Sequence, residues 1–425
     1  MTTPGHGFHS VYRKSVLPNG IRVVTEYVPH VRSLTIGLWV RSGSRHERVE
    51  QNGIAHFLEH MVFKGTRSRT AYQIAQSIES LGGYLNAFTG RELNCYLARL
   101  LDVHAPVAID VLADILQHSL FDPDEVEKEK HVVIDEIKGM EDNPEEWLHD
   151  QFTSLIWQPH PLGRSILGTE ATVSALTREE IRAYLDTYYT ADRTTVVAAG
   201  NVDHDQIVEL VRQTLLFPDR PAADPPAVLS PPAARCQVTT KDIAQAHLCV
   251  GGHGLPFRDE RKYALFVLNA ALGGGMTSRL FQAVREKAGL AYSIYSDLDF
   301  YEDTGLFSIY AGTDGADVPR VLEMIYTECA RLRQEPLHED ELQDSKSQLT
   351  GGLILSMENT GTVMNRLARL ELYLDSYSSI DETIAQVDAV TLTQVQELAE
   401  ELLDPERLSV AALGPVEERD VPLPR

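Results

Sequence analysis

The sequence predicts an α+β protein of two homologous α/β sandwich domains produced by internal duplication, and three observations predict it. Short β-branched runs bounded by turn residues alternate with amphipathic helical runs through the first half. A stretch near mid-chain that is rich in proline and alanine, from Phe217 to Pro232, reads as an extended linker. One ungapped offset, close to half the chain, superimposes Thr177 on Thr391, Ile181 on Val395, Arg193 on Arg407, Ala198 on Ala412, Gly200 on Gly414 and Val202 on Val416, as a duplicated domain would. The expected division is a first domain over 1–216, a linker over 217–235 and a second domain over 236–425.

Taken in order, the chain opens with strands. Leu17-Pro18-Asn19-Gly20 is a turn, and residues 21–27 and 33–40 have the alternating look of strands paired with each other. A helix follows over about 53–63, with Asn52 as N-cap and Gly65 as its stop. A second helix over about 72–80 runs to Gly82-Gly83, and 84–100 reads as a hairpin turning near Gly90-Arg91. A long helix over about 124–140 precedes a loop at Pro159-His160-Pro161, a helix over 178–189 and a strand over 194–199.

The first helix carries chemistry. At about 100° per residue, His56, Glu59 and His60 fall within roughly a third of its circumference, with Ile54, Leu58 and Met61 opposite. Two histidines at i and i+4 can aim neutral ring nitrogens at one Zn²⁺, and the carboxylate before the second is placed to take a proton from water there. The order His-x-x-Glu-His inverts the commoner His-Glu-x-x-His and is a zinc-peptidase signature. A plainer reading of the same stripe is a helix whose histidines hydrogen-bond within the core.

On the long helix, Val126, Val133, Ile137 and Met140 define an apolar face, with Glu129 and Glu136 on or beside it, two turns apart. A carboxylate at the margin of a buried stripe is costly to desolvate unless it meets a cation. Glu136 is therefore a candidate third ligand, and Glu129 a candidate acceptor that fixes a ligand histidine from outside. An ordinary amphipathic helix with glutamates on its shoulder fits the pattern equally.

In the second half the offset puts Ala270, Gly273 and Gly274 where His56, Glu59 and His60 stand, so the second copy has no obvious metal set and a different task is expected of it. It has instead Leu272-Gly273-Gly274-Gly275-Met276, a helix over about 278–287 capped by Thr277, and a strand from Leu290. The glycines lack the Lys-Ser/Thr ending of a phosphate loop. On composition alone, Arg285 and Tyr292 are a surface cation and a half-buried aromatic.

A net charge of −24 argues against nucleic acid and acidic membranes; it suits basic or neutral peptides, and solubility explains it equally well. The 4 cysteines lie far apart, with no Cys-x-x-Cys pair, which argues against a disulfide framework and a thiolate zinc site and for a reducing, cytoplasmic location. Residues 1–15 lack a signal-peptide core, and no apolar run approaches a membrane span.

Several of these runs also carry a family resemblance. They are Leu-Pro-Asn-Gly at 17–20, Gly-Ile-Ala-His-Phe-Leu-Glu-His at 53–60 followed by Phe63-Lys64-Gly65-Thr66, Leu-Gly-Gly at 81–83 with Leu-Asn-Ala-Phe-Thr at 85–89, and Glu129 through Ile137 with Glu141-Asp142-Asn143-Pro144. Through them the chain resembles the inverzincin peptidases of the pitrilysin, insulysin and mitochondrial processing peptidase family, in particular their short bacterial members. The second half matches through Gly274 to Leu280 and Arg285-Glu286-Lys287 to Gly289-Leu290-Ala291-Tyr292. Two departures stand out: the loop at Gly273 to Gly275 is much shorter than in the non-catalytic subunit of the mitochondrial enzyme, and Ala288 stands where a polar residue is common.

The resemblance implies a metallopeptidase of the processing-peptidase type with one Zn²⁺ per chain. Its ligands would be His56, His60 and Glu136, the last at the distance along the chain after His60 that the family's spacing calls for. Glu59 would be the general base, and Arg285 and Tyr292 would face the zinc from an opposing domain. Asn86, Ala87 and Phe88 would lie on the strand that takes a substrate peptide, although a turn-flanking amide is an equal reading of Asn86. Unfolded or short peptides are the implied substrates, and a homodimer, or a heterodimer with a paralogue, the implied assembly. The family also supplies non-catalytic structural or partner subunits, which usually lose ligands; that is the second reading.

Overall fold

A computed structural model of the chain describes residues 10–218, 229 and 233–423, so most of the expected linker and the first nine residues lie outside the described residues. In chain order the first half contributes β1 (Val11–Val16), β2 (Arg22–Tyr27), β3 (Ser33–Val40), α1 (Ile54–Val62), α2 (Ala71–Glu79), β4 (Tyr84–Thr89), β5 (Asn94–Leu101), α3 (Ala105–Gln117), α4 (Pro123–Asp142), α5 (Pro144–Trp157), α6 (Glu170–Ala175), α7 (Arg178–Tyr188), β6 (Thr194–Gly200) and α8 (His204–Thr214). The second half adds β7 (Cys236–Thr240), β8 (Ala246–Gly254), α9 (Lys262–Gly273), a π-helix (Phe281–Lys287), β9 (Ala291–Phe300), β10 (Gly305–Thr313), α10 (Val318–Gln334), α11 (Glu339–Ser356), α12 (Thr360–Leu374), α13 (Ile380–Asp388), α14 (Leu392–Leu402) and β11 (Ser409–Gly414).

The strands form two mixed sheets, ordered β1-β2-β6-β3-β5-β4 and β7-β11-β8-β10-β9. Leaving out β1, the two orders match strand for strand, each with one parallel pair, β2 with β6 and β7 with β11. The repeat read from the sequence is strictest at its end. Helices α7 and α14 start at that same offset, each behind a threonine capping box, at Thr177 and Thr391. Strands β6 and β11 both end on glycines with left-handed backbone, Gly200 at φ 125° and Gly414 at φ 136°. Earlier the register drifts: β5 begins at Asn94 and β10 at Gly305, slightly short of the offset kept later.

Strands β2 and β3 are not paired with each other. β6 lies between them, parallel to β2 and antiparallel to β3. All seven residues of β6 are buried, which suits a central strand covered on both faces.

The chain divides into two compact units that are not the two contiguous halves expected. Residues 139–163 belong to the second unit and 356–378 to the first, so each half lends a helix to the other's sheet. In the first unit α12 lies on β2, β3 and β6. Thr360 and Thr35 share a hydroxyl hydrogen bond of 2.8 Å, and the indole N–H of Trp39 donates to Met364 Sδ at 3.1 Å. Gly37 makes room for this seat: a Cβ there would stand 3.0 Å from Met364 Sδ and 2.9 Å from Trp39 Nε1.

In the second unit α5 lies on β8 and β11, burying Leu148, Phe152, Ile156 and Trp157 against Cys249, Tyr310, Ala411 and Leu413. Beneath it Tyr295 donates to Glu145 at 2.8 Å, and His149 shares a 3.0 Å hydrogen bond with the same hydroxyl. His253 packs 4.3 Å from Trp157, and burial, helped by Arg407 and Arg235, pushes its pKa down to about 4. Burial lowers His149 and His247 as well. An imidazole kept neutral in the fold supports it above its free pKa of about 6.5, and that support is lost as pH falls towards the folded value. Thermal unfolding followed from pH 7 to pH 4 should show a falling melting temperature, with a shallower fall in His253→Asn.

Candidate metal centre

The site is built on α1, whose start is held by glycine and a buried acid. Gly53, at φ 95°, is the N-cap, and a Cβ there would sit 2.6 Å from the Leu167 carbonyl oxygen. The expected cap, Asn52, turns its amide to Glu47 Oε2 and the Ser165 carbonyl, each at 2.8 Å. Glu47 supplies the capping instead, accepting the N–H groups of Gly53 at 2.8 Å and Ala55 at 2.9 Å. Burial pushes the Glu47 carboxyl up to about 7, against the hydrogen bonds from Asn52, Ala55 and Gly53 that favour its charged form. The helix ends at Val62 with Phe63 as C-cap, two residues before the expected stop at Gly65.

Along this helix Ile54, Ala55, Phe57, Leu58, Met61 and Val62 are buried, and their burial leaves His56, Glu59 and His60 on the remaining stripe. The two imidazoles stand 4.6 Å apart between centroids at 62°. α4 brings Glu136 to them: Oε2 lies 3.7 Å from His56 Nε2 and 3.5 Å from His60 Nε2. Glu129, two turns earlier on α4 and 4% exposed, meets His60 Nδ1 at 2.8 Å. Its other oxygen takes Lys64 Nζ at 2.6 Å. The Thr89 hydroxyl, on β4, donates to Glu59 Oε2 at 2.5 Å.

These residues fit a divalent cation. Among the described residues, one group of three metal-binding side chains brings its ligand atoms within 4.8 Å of one another, and it is His56, His60 and Glu136. Tetrahedral bonds of about 2.0–2.1 Å place ligand atoms roughly 3.4 Å apart, close to the two separations above. With His60 Nδ1 on Glu129, Nε2 is the atom left to face Glu136. Burial, and then the neighbouring His60, push His56 down to about 4, so its ring is a neutral donor at physiological pH. Burial raises Glu59, partly opposed by the Thr89 hydrogen bond, which moves a carboxylate towards the range of a working base.

Four of the other expected site residues, Asn86, Ala87, Phe88 and Tyr292, lie on two edge strands, and Arg285 lies on a helix. Asn86 and Phe88 are exposed and Ala87 buried on β4, the outermost strand of the first sheet, which packs beside α1. Asn86 donates to the Tyr84 hydroxyl at 2.6 Å, and Phe88 packs edge-on to Trp39 at 5.3 Å. Arg285 and Tyr292 belong to the second unit. The expected helix over 278–287, capped by Thr277, is mostly a π-helix over Phe281–Lys287, with the Ala288 N–H bonded to the Ala283 carbonyl. In it the Arg285 guanidinium lies over Phe281 at 4.7 Å and over Tyr292 at 5.4 Å. Tyr292 is 77% exposed at the start of β9, the outermost strand of the second sheet, rather than half-buried.

Residues 22–170 match the family described as insulinase (peptidase family M16), and residues 175–349 match the peptidase M16 inactive domain. A protein of Bacillus subtilis named as an uncharacterized zinc protease is 44% identical over 93% of this chain and 97% of its own length. The chain belongs to the M16 peptidase family. A probable mitochondrial-processing peptidase subunit beta of Arabidopsis thaliana is 34% identical over 96% of this chain and 79% of its own. A protease from Helicobacter pylori has the same fold, with a TM-score of 0.90 at 22% identity, covering 96% of this chain and all of that one.

This M16 chain is thus a protease whose relatives are named zinc proteases. Among the described residues it has no helix long and apolar enough to cross a membrane. Three participants of its candidate site escape a linear reading. Lys64 had a signal, since it stands one helical turn after His60. Thr89 and Glu47 had none, because each meets α1 only through tertiary folding.

Proposed function

We propose that this M16 protease is a zinc endopeptidase for unfolded or short peptides, with one Zn²⁺ per chain held by His56, His60 and Glu136. The observation that carries the reading is the convergence of those three side chains beside Glu59. Bound there, the ion would supply a Lewis acid that lowers the pKa of a water towards neutrality. Glu59 accepts the proton of the attacking water and returns it to the leaving amide nitrogen as the C–N bond breaks. Thr89 occupies one oxygen of Glu59 and leaves the other for the proton. The open edge of β4, with Asn86, Ala87 and Phe88, receives the substrate as an added strand. Arg285 anchors the substrate backbone and Tyr292 steadies the oxyanion, supplied by a second copy of the chain in a homodimer. The four unpaired cysteines suit a reducing, cytoplasmic setting.

A non-catalytic partner subunit is the second reading, and the match of 175–349 to an inactive domain fits both. Metal analysis of the purified chain, coupled to cleavage of a fluorogenic peptide library, separates the two. The peptidase reading expects one zinc per chain and cleavage that a chelator abolishes. Metal-free protein that cleaves nothing, alone or with added zinc, would favour the partner subunit.

A further inference from the structure

The residues after α1 continue its turn: the Lys64 N–H bonds to the Met61 carbonyl at 3.2 Å. Lys64 therefore follows His60 on the same side, and both reach across to α4. They take one oxygen each of a single carboxylate, His60 Nδ1 on Glu129 Oε1 at 2.8 Å and Lys64 Nζ on Oε2 at 2.6 Å. That carboxylate is 4% exposed, so water cannot readily replace either partner. With the ammonium on Oε2, one orientation of the carboxylate remains, and in it Oε1 faces the ring N–H. His60 then presents the lone pair of Nε2, the atom 3.5 Å from Glu136. His56 has no such support, since its Nδ1 is buried with no hydrogen-bond partner among the described residues. Among those residues, Lys64 is also the one lysine or arginine paired with Glu59, Glu129 or Glu136.

We propose that Lys64 is a positioning residue for the metal centre: by clamping Glu129 it fixes the ring and tautomer of His60 and so sets zinc affinity, touching neither metal nor substrate. The proposal rests on the zinc reading above. Lys64→Met keeps the aliphatic stem and removes the ammonium. Losing a partner outside the ligand set typically weakens metal binding by ~10–100-fold. Lys64→Met should fall at the low end, about tenfold, in competition with a chromophoric chelator, and Lys64→Arg should restore most of it.

Two further measurements separate positioning from general loosening. The visible spectrum of the cobalt-substituted protein should shift in Lys64→Met and return in Lys64→Arg. In a Glu129→Gln background, Lys64→Met should cost little more, because its route to the metal is already cut. Should Lys64→Met not fold, Lys64→Gln carries the same comparisons. Wild-type affinity and spectrum in the Lys64 variants, or fully additive losses with Glu129→Gln, overturn the clamp while leaving the zinc reading intact. Failure of the wild-type chain to bind zinc removes both.

Discussion

Glu59→Gln will retain one zinc per chain and lose at least ~10²-fold in peptide turnover. The amide has the shape of the carboxylate, and its oxygen can still accept the Thr89 hydroxyl now 2.5 Å from Glu59. What it lacks is the capacity to take a proton and hand it on. Because the substitution leaves His56, His60 and Glu136 in place, metal content separates a lost base from a lost site. Turnover of a fluorogenic peptide beside metal analysis of the same sample checks both halves. Undiminished cleavage in this variant would falsify the role given to Glu59.

Glu136→Ala should do the reverse, emptying the site while leaving the fold alone. The side chain is 46% exposed, and among the described residues its ion pairs are with His56 and His60 only. An exposed position of this kind typically changes stability by no more than about 0.5 kcal/mol. Removing a ligand outright should weaken zinc by more than the ~10–100-fold typical of outer partners. Chelator competition and thermal melting of the metal-free protein test the contrast. Unchanged zinc affinity would return Glu136 to the solvated shoulder of an amphipathic helix.

The parts of this molecule that were legible in the sequence are those whose partners lie within one element. Helical spacing alone puts His56, Glu59 and His60 on one stripe and Glu129 two turns from Glu136. The duplication was legible because capping boxes and terminal glycines recur at one offset. Tertiary choices were not. Alternation marks residues 21–27 and 33–40 as strands, yet nothing local tells that residues from position 194 onward will be inserted between them. The amphipathic faces of α5 and α12 demand burial without naming a sheet. A single π-helix is a shift in hydrogen-bond register, and side-chain periodicity over so short a run does not encode it.

The lending of α12 to the first sheet also has a consequence for how the molecule is made. Cover for that sheet ends at Leu374, late in a chain of 425 residues. On a ribosome, where early segments usually fold first, the β3 face that meets Thr360 and Met364 through Thr35, Gly37 and Trp39 must wait uncovered until most of the polypeptide has emerged. Synthesis thus passes through a long interval in which the first unit lacks its last helix, and its closure depends on synthesis of much of the second half.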